Sequence, residues 1–222
     1  MNIKAAILDF DDTLLATFEQ RAHLLIKVGF DFGYHVDIEK IKFYWGKPFY
    51  DLISGIMPNI DYQNFYERYS EAMLSIQPKI QLGARPLLEY LKKHNISTVI
   101  VSSSSRELVL QDLVSVKLQK YIDFVWGFED TLFHKPDPRS LEQALSYLKR
   151  NGIFSGACIS IGDSPNDYFA ARENGIAFFA VTTGNDNMKS FISSGLKQEF
   201  IYPNLQEMLS NDSVFKSLID KE

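Results

Sequence analysis

A single cysteine, Cys158, stands in a chain of 222 residues, so no internal disulfide can form and a disulfide-stapled scaffold is excluded. It falls in the apolar run 157–161, the setting of a buried structural thiol rather than a reactive one. No window approaches 18 consecutive apolar residues, so neither a transmembrane helix nor a membrane partner is expected. Residues 1–8 carry one lysine and a short apolar stretch, and then run into Asp9, Asp11 and Asp12. That is not the pattern of a signal peptide, and the expected address is cytoplasmic. Basic clusters are missing too. The net charge is −5 with no basic stripe, so a nucleic-acid partner has no electrostatic footprint. Internal repeats and low-complexity tracts are absent, and residues 102–105 form the one homopolymer run.

What is present is an ordinary core-forming composition, 45% hydrophobic, 14% aromatic and 23% charged, which rules out a disordered chain. Short apolar runs at 4–8, 98–101, 124–126, 158–161 and 177–181, and a weaker one at 199–202, read as strands. Helical patterns stand between them at 86–94, 106–116, 140–150 and 165–174. Leu110, Leu113 and Val114 mark the apolar face of the second, and Ser164-Pro165 is a start signal for the last. This alternation predicts an α/β fold, a parallel sheet covered on both faces. The interval 15–80 breaks it. Helical patterns at 22–32, 38–44, 49–56 and 62–76, punctuated by Gly46, Pro48, Pro58 and Pro78, predict an all-helical insertion after the first strand. The expected organisation is a core of residues 1–14 and 81–222 carrying a helical domain of residues 15–80.

Asp9-Phe10-Asp11-Asp12-Thr13 follows the first strand directly, and strand alternation points Asp9 and Asp11 to one side of the sheet's carboxyl edge, where ligand clefts form. An Asp-x-Asp-x-Thr spacing is expected about 0.03 times by chance at this composition. Gly162-Asp163, with Asp167 one helical turn later, repeats the theme after another apolar run. Four carboxylates in one cleft repel by roughly 3 kcal/mol per pair at ~6 Å and an effective dielectric near 20, so a cation is required. An all-oxygen site of this kind suits Mg²⁺, which takes few protein ligands and shares phosphate oxygens. Lys135, in a proline-held loop (His134-Lys135-Pro136-Asp137-Pro138), can add positive charge. Ser102 and Ser103, at a strand end before a helix, offer a hydroxyl and backbone amides as an oxyanion or phosphate seat, or simply cap the helix.

In this order the four motifs resemble the haloacid dehalogenase-like hydrolase superfamily, over residues 3 to 183. The insertion looks like the helical cap of the subfamily containing phosphoglycolate phosphatase and β-phosphoglucomutase. The resemblance implies a Rossmann-like core and a phospho-aspartyl mechanism. Asp9 would be the nucleophile and Asp11 the general acid/base, while Ser102, Ser103 and Lys135 would hold the phosphoryl oxygens. Mg²⁺ would be bound by Asp9, the Asp11 carbonyl and Asp163, with Asp167 as ligand or outer partner. Asp12 departs from the family's usual glycine. The implied activity is Mg²⁺-dependent hydrolysis of a small phosphorylated metabolite, with Arg21, Trp45, Lys47 and Phe49 as cap residues that set specificity.

Alternatives within the family are weaker. A mutase of the β-phosphoglucomutase kind places a histidine and an arginine where this chain has Arg21 and Phe49. The dehalogenase reaction needs neither Asp11 nor Mg²⁺. A phosphonate hydrolase needs a Schiff-base lysine, and Lys47 adjoins Gly46 too closely. From a different class, a phosphate-accepting signalling module shares the Asp, Ser and Lys set but is about half this length and lacks the helical insertion.

Overall fold

The apolar runs become strands buried on both faces of one sheet. The computed structural model describes residues 2–210 and 213–219; residues 1, 211–212 and 220–222 of the expected core lie outside the described residues. The strands are β1 (Ala5–Leu8), β2 (Leu15–Ala16), β3 (Lys79–Ile80), β4 (Ser97–Val101), β5 (Phe124–Trp126), β6 (Cys158–Gly162), β7 (Ala177–Val181) and β8 (Ile201–Tyr202). The α-helices of the first half are α1 (Phe18–Asp31), α2 (Ile38–Tyr44), α3 (Phe49–Ile56), α4 (Tyr62–Met73) and α5 (Ala84–Lys93). Those of the second half are α6 (Arg106–Ser115), α7 (Glu142–Arg150), α8 (Pro165–Glu173), α9 (Met188–Ser193), α10 (Leu205–Met208) and α11 (Val214–Ile219).

Six strands form a parallel sheet in the order β5-β4-β1-β6-β7-β8. Side-chain alternation divides its core. Ala6, Leu8, Ile100, Ile161 and Phe179 pack under α5, α6, α10 and α11. Ala5, Ile7, Val99, Cys158 and Phe178 pack under α7, α8 and α9 on the other face. Cys158 is 1% exposed, and burial pushes its thiol up to about 11. This is the Rossmann-type α/β fold that the sequence predicts.

Helices α1 to α4 bury a cluster of their own, including Leu25, Ile41, Ile53 and Phe65. Two features there escape the sequence patterns. Residues 15–16 and 79–80 are not helical or loop but a two-stranded antiparallel ladder, Leu15 opposite Ile80 and Ala16 opposite Lys79, joining the entry and exit of the helical segment. Helix α4 stops at Met73 rather than residue 76. On the sheet side, α6 buries Leu113 and packs Leu110 partly against the core as expected, but not Val114. Val109, Asp112 and Leu113 turn inward and Val114 is 55% exposed, because the helix presents Asp112 to an arginine of α1.

Candidate active site

Strand register sets the site. Leu8 lies opposite both Ile100 and Ile161, so the chain leaves β1, β4 and β6 at one carboxyl edge. Asp9, Ser102 and Asp163 are the first residues beyond those strands. The strand order reverses about β1, which is where an open α/β sheet opens a crevice.

Three carboxylates converge there. Oxygens of Asp9, Asp163 and Asp167 lie within 4.8 Å of one another. Lys135 reaches in from the loop after β5; its Nζ donates to Asp9 Oδ1 and to the Val101 carbonyl, each at 2.7 Å, and lies 2.7 Å from Asp167 Oδ1. Burial alone would favour the neutral amine, but Asp167 and Asp9 overrule it and raise the lysine's pKa. Burial raises the pKa of Asp9 and Asp163 as well, and the neighbouring carboxylates add to the shift. Asp163 Oδ1 accepts from Thr13 Oγ1 at 2.9 Å. Asp167 closes a capping box with Ser164 at the start of α8, its Oδ2 accepting from the Ser164 hydroxyl at 2.6 Å. Two glycines permit this crowding. A Cβ on Gly184 would stand 1.8 Å from Asp163 Oδ2, and one on Gly162 would stand 2.6 Å from the Asp167 carboxyl carbon.

The donor set fits a hard divalent cation. Both Asp167 oxygens are engaged, by Lys135 and Ser164, whereas Asp9 Oδ2 and Asp163 Oδ2 accept no hydrogen bond among the described residues. Two largely buried carboxylate oxygens without partners, beside a single ammonium, call for further positive charge. The Asp11 side chain stands outside this cluster. Its Oδ1 takes Arg21 Nη1 at 2.5 Å and its Oδ2 takes the Ser104 hydroxyl at 2.6 Å.

Arg21 comes from α1, is 5% exposed, and extends its other nitrogen to Asp112 of α6 at 2.6 Å. Burial would weaken its charge, and Asp11 and Asp112 restore it. Ser102 is buried, with its Oγ accepting from the Ser104 amide at 3.0 Å, leaving its own proton to donate; Ser103 and Ser104 face the open space. Asp12 has φ +57, the left-handed region that favours glycine but that aspartate tolerates. Its Oδ1 accepts from the Thr17 and Phe18 amides at 3.0 Å, capping α1, and its Oδ2 accepts from the Trp45 indole at 2.9 Å. Burial pushes its carboxyl up to about 6.

Above the edge lies a cavity of about 1130 Å³ between the sheet and the helical segment. Asp9, Asp11, Lys135, Asp163 and Asp167 form its floor, and Arg21, Trp45, Lys47 and Phe49 line its upper part. The candidate catalytic, metal-binding, phosphate-binding and specificity residues therefore line one cavity except Ser102, which is buried and is not in its lining; Asp12 also lies outside it. Sequence reading misses Ser104, Asp112 and Gly184. Ser104 hides in a run of identical residues, and Asp112 sits on a helix face whose apolar pattern is weak. A glycine needed for close approach carries no local pattern at all.

Comparison with known proteins agrees with this geometry. The model of the haloacid dehalogenase-like hydrolase family matches residues 6–181. The protein named "Putative pyrophosphatase PpaX" from Caldanaerobacter subterraneus is 31% identical over 192 residues, covering 82% of each chain. "Phosphoglycolate phosphatase 1" of Pseudomonas aeruginosa is 26% identical over 147 residues, 65% of this chain and 51% of that one. A hydrolase from Pseudomonas syringae of known structure superposes with a TM-score of 0.77 at 21% identity, over 94% of this chain and 97% of that one, a likeness of fold. Parallel sheet, convergent aspartates and buried lysine thus come with a family match over most of the chain, and the chain belongs to the haloacid dehalogenase-like hydrolases.

Proposed function

We propose that this hydrolase is a Mg²⁺-dependent phosphatase that cleaves a small phosphorylated metabolite through a phospho-aspartyl intermediate. One observation carries the reading: the buried Lys135 ammonium bridges Asp9 and Asp167 at the sheet edge, with a free Asp9 oxygen facing the cavity. Asp9, Asp163 and the main-chain carbonyl of Asp11 would hold the ion, with Asp167 acting through Lys135 and Ser164. When bound, the ion supplies charge that offsets the carboxylates and the phosphoryl oxygens.

Asp9 attacks phosphorus, the ester P–O bond breaks, and Asp11 gives its proton to the departing alkoxide. Water then attacks the acyl phosphate, Asp11 takes a proton from it, and inorganic phosphate leaves with Asp9 restored. Lys135, the Ser102 hydroxyl and the Ser103 amide hold the phosphoryl oxygens as charge builds on them. Both Asp11 oxygens are engaged by Arg21 and Ser104, so proton transfer requires one of these contacts to be exchanged. Residues 15–80 act as a cap over a core of residues 1–14 and 81–222, closing on the leaving group. The names of the relatives, a pyrophosphatase and a phosphoglycolate phosphatase, agree with phosphoryl chemistry.

Asp9→Asn removes the nucleophile and should abolish Mg²⁺-dependent phosphate release from p-nitrophenyl phosphate while leaving the circular dichroism spectrum intact. A variant retaining more than a few per cent of the wild-type rate would overturn the assignment. Repeated turnover, rather than one retained phosphate per chain, separates the enzyme from a signalling module.

A further inference from the structure

Part of the cavity wall contributed by the helical segment is lined by rings. Phe49 lies 5.0 Å from the Tyr69 ring and 5.9 Å from the Tyr66 ring, and Tyr62 and Tyr66 stack at 6.0 Å. These four side chains, from α3 and α4, all face the cavity. Tyr66 is 42% exposed, so part of its ring stays open beside those neighbours. Tyr69 is 6% exposed, yet its hydroxyl has no hydrogen-bond partner among the described residues and borders the cavity beside Arg21. A tyrosine hydroxyl without a protein partner, bordering the cavity at the end of a ring-lined wall, is free to donate to a ligand.

The remaining charges on the wall do not suit an anion. Glu67, Glu71 and Glu107 line the cavity too. Among the described residues, three of the four cations that line the cavity are paired with carboxylates, and Lys47 alone is not. Arg21 is held between Asp11 and Asp112, and Lys135 between Asp9 and Asp167. Lys42 pairs with Glu39 at 2.6 Å, and Lys47 lies over the Tyr44 and Phe43 rings. A leaving group carrying a carboxylate or a second phosphate would meet the three glutamates with only Lys47, held over two rings, unpaired by a carboxylate among the described residues. The volume, about 1130 Å³, also exceeds what a two-carbon acid needs.

Building on the phosphatase reading, we infer that the substrate is a phosphomonoester of a neutral alcohol bearing an aromatic or heteroaromatic ring. The ring lies against Phe49, Tyr62 and Tyr66, and the Tyr69 hydroxyl donates to a polar atom on it. The cap thus selects against the anionic leaving groups named in the relatives.

Three esters with unactivated alkoxide leaving groups test this: 2-phenylethyl phosphate, propyl phosphate and phosphoglycolate, each assayed for phosphate release with Mg²⁺. The expected kcat/KM for the phenylethyl ester is about tenfold above that for propyl, with phosphoglycolate lowest. Tyr66→Ala, at a half-exposed position, should collapse the phenylethyl-to-propyl ratio about fivefold. Glu67→Lys combined with Glu71→Lys should raise phosphoglycolate relative to propyl severalfold. Equal kcat/KM on all three esters, a preference for phosphoglycolate, or a ratio indifferent to Tyr66→Ala would overturn the inference while leaving the phosphatase standing. No Mg²⁺-dependent release from any ester, p-nitrophenyl phosphate included, would bring down both.

Discussion

Asp12 shows how one side chain can replace a glycine and add to it. The left-handed turn after Asp11 admits glycine without strain, and aspartate at modest cost. The carboxylate then caps α1 from outside the helix and accepts the Trp45 indole, neither of which a glycine can do. Asp12→Gly should therefore relax the backbone yet destabilise the protein by about 1–2 kcal/mol through the lost cap and the unpaired indole, read from urea unfolding. A variant as stable as the parent would show that these bonds are worth nothing net. At this scale the motif residues are legible in sequence because each follows a strand at short spacing. The partners that orient them are not. Arg21 meets Asp112 across 91 positions and Thr13 meets Asp163 across 150, distances over which one sequence carries no signal.

Elements differ in legibility for the same kind of reason. Strands buried on both faces and helices with a regular apolar stripe can be read locally. The β2–β3 ladder, two residues a side, is too short to show a period, and α10, with four residues, is hardly longer. Helix α6 is legible at Leu110 and Leu113 but not at Val114, because its inward face includes a charge. That charge ties it to α1: Arg21 and Asp112 form a largely buried pair between the helical segment and the sheet's own helices. Asp112→Ala should cost about 2–3 kcal/mol, since it removes one of two charged partners from a buried guanidinium. Arg21→Met with Asp112→Leu should be more stable than Arg21→Met alone, because a lone buried Asp112 costs more than an apolar pair. Urea midpoints of the single and double variants check both, and strict additivity would deny the coupling.

For the molecule as a whole, the carboxylate cluster is a folding liability that a bound cation would relieve. A ligand that binds only the folded state stabilises it by RT ln(1 + [L]/Kd), about 2.7 kcal/mol at 100 times Kd. Mg²⁺ should thus raise the unfolding midpoint by several degrees at this chain length. Asp163→Asn should erase most of that shift, while Lys135→Ala should lower turnover and leave the shift largely in place. A midpoint and an activity both indifferent to EDTA and to 10 mM Mg²⁺ would remove the metal from the mechanism. The chain has only two tryptophans, and the fold has put one on each side of the cavity's boundary. Trp126 is buried in the sheet, and Trp45 rides on the helical segment with its indole fastened to Asp12 and its ring edge-on to Phe18. A parting of segment from sheet would break that bond together with the Arg21 ion pairs and would change the surroundings of Trp45 more than those of buried Trp126. The protein thus carries its own fluorescent gauge of opening, with Trp126 as a steady background against which a red shift can be read.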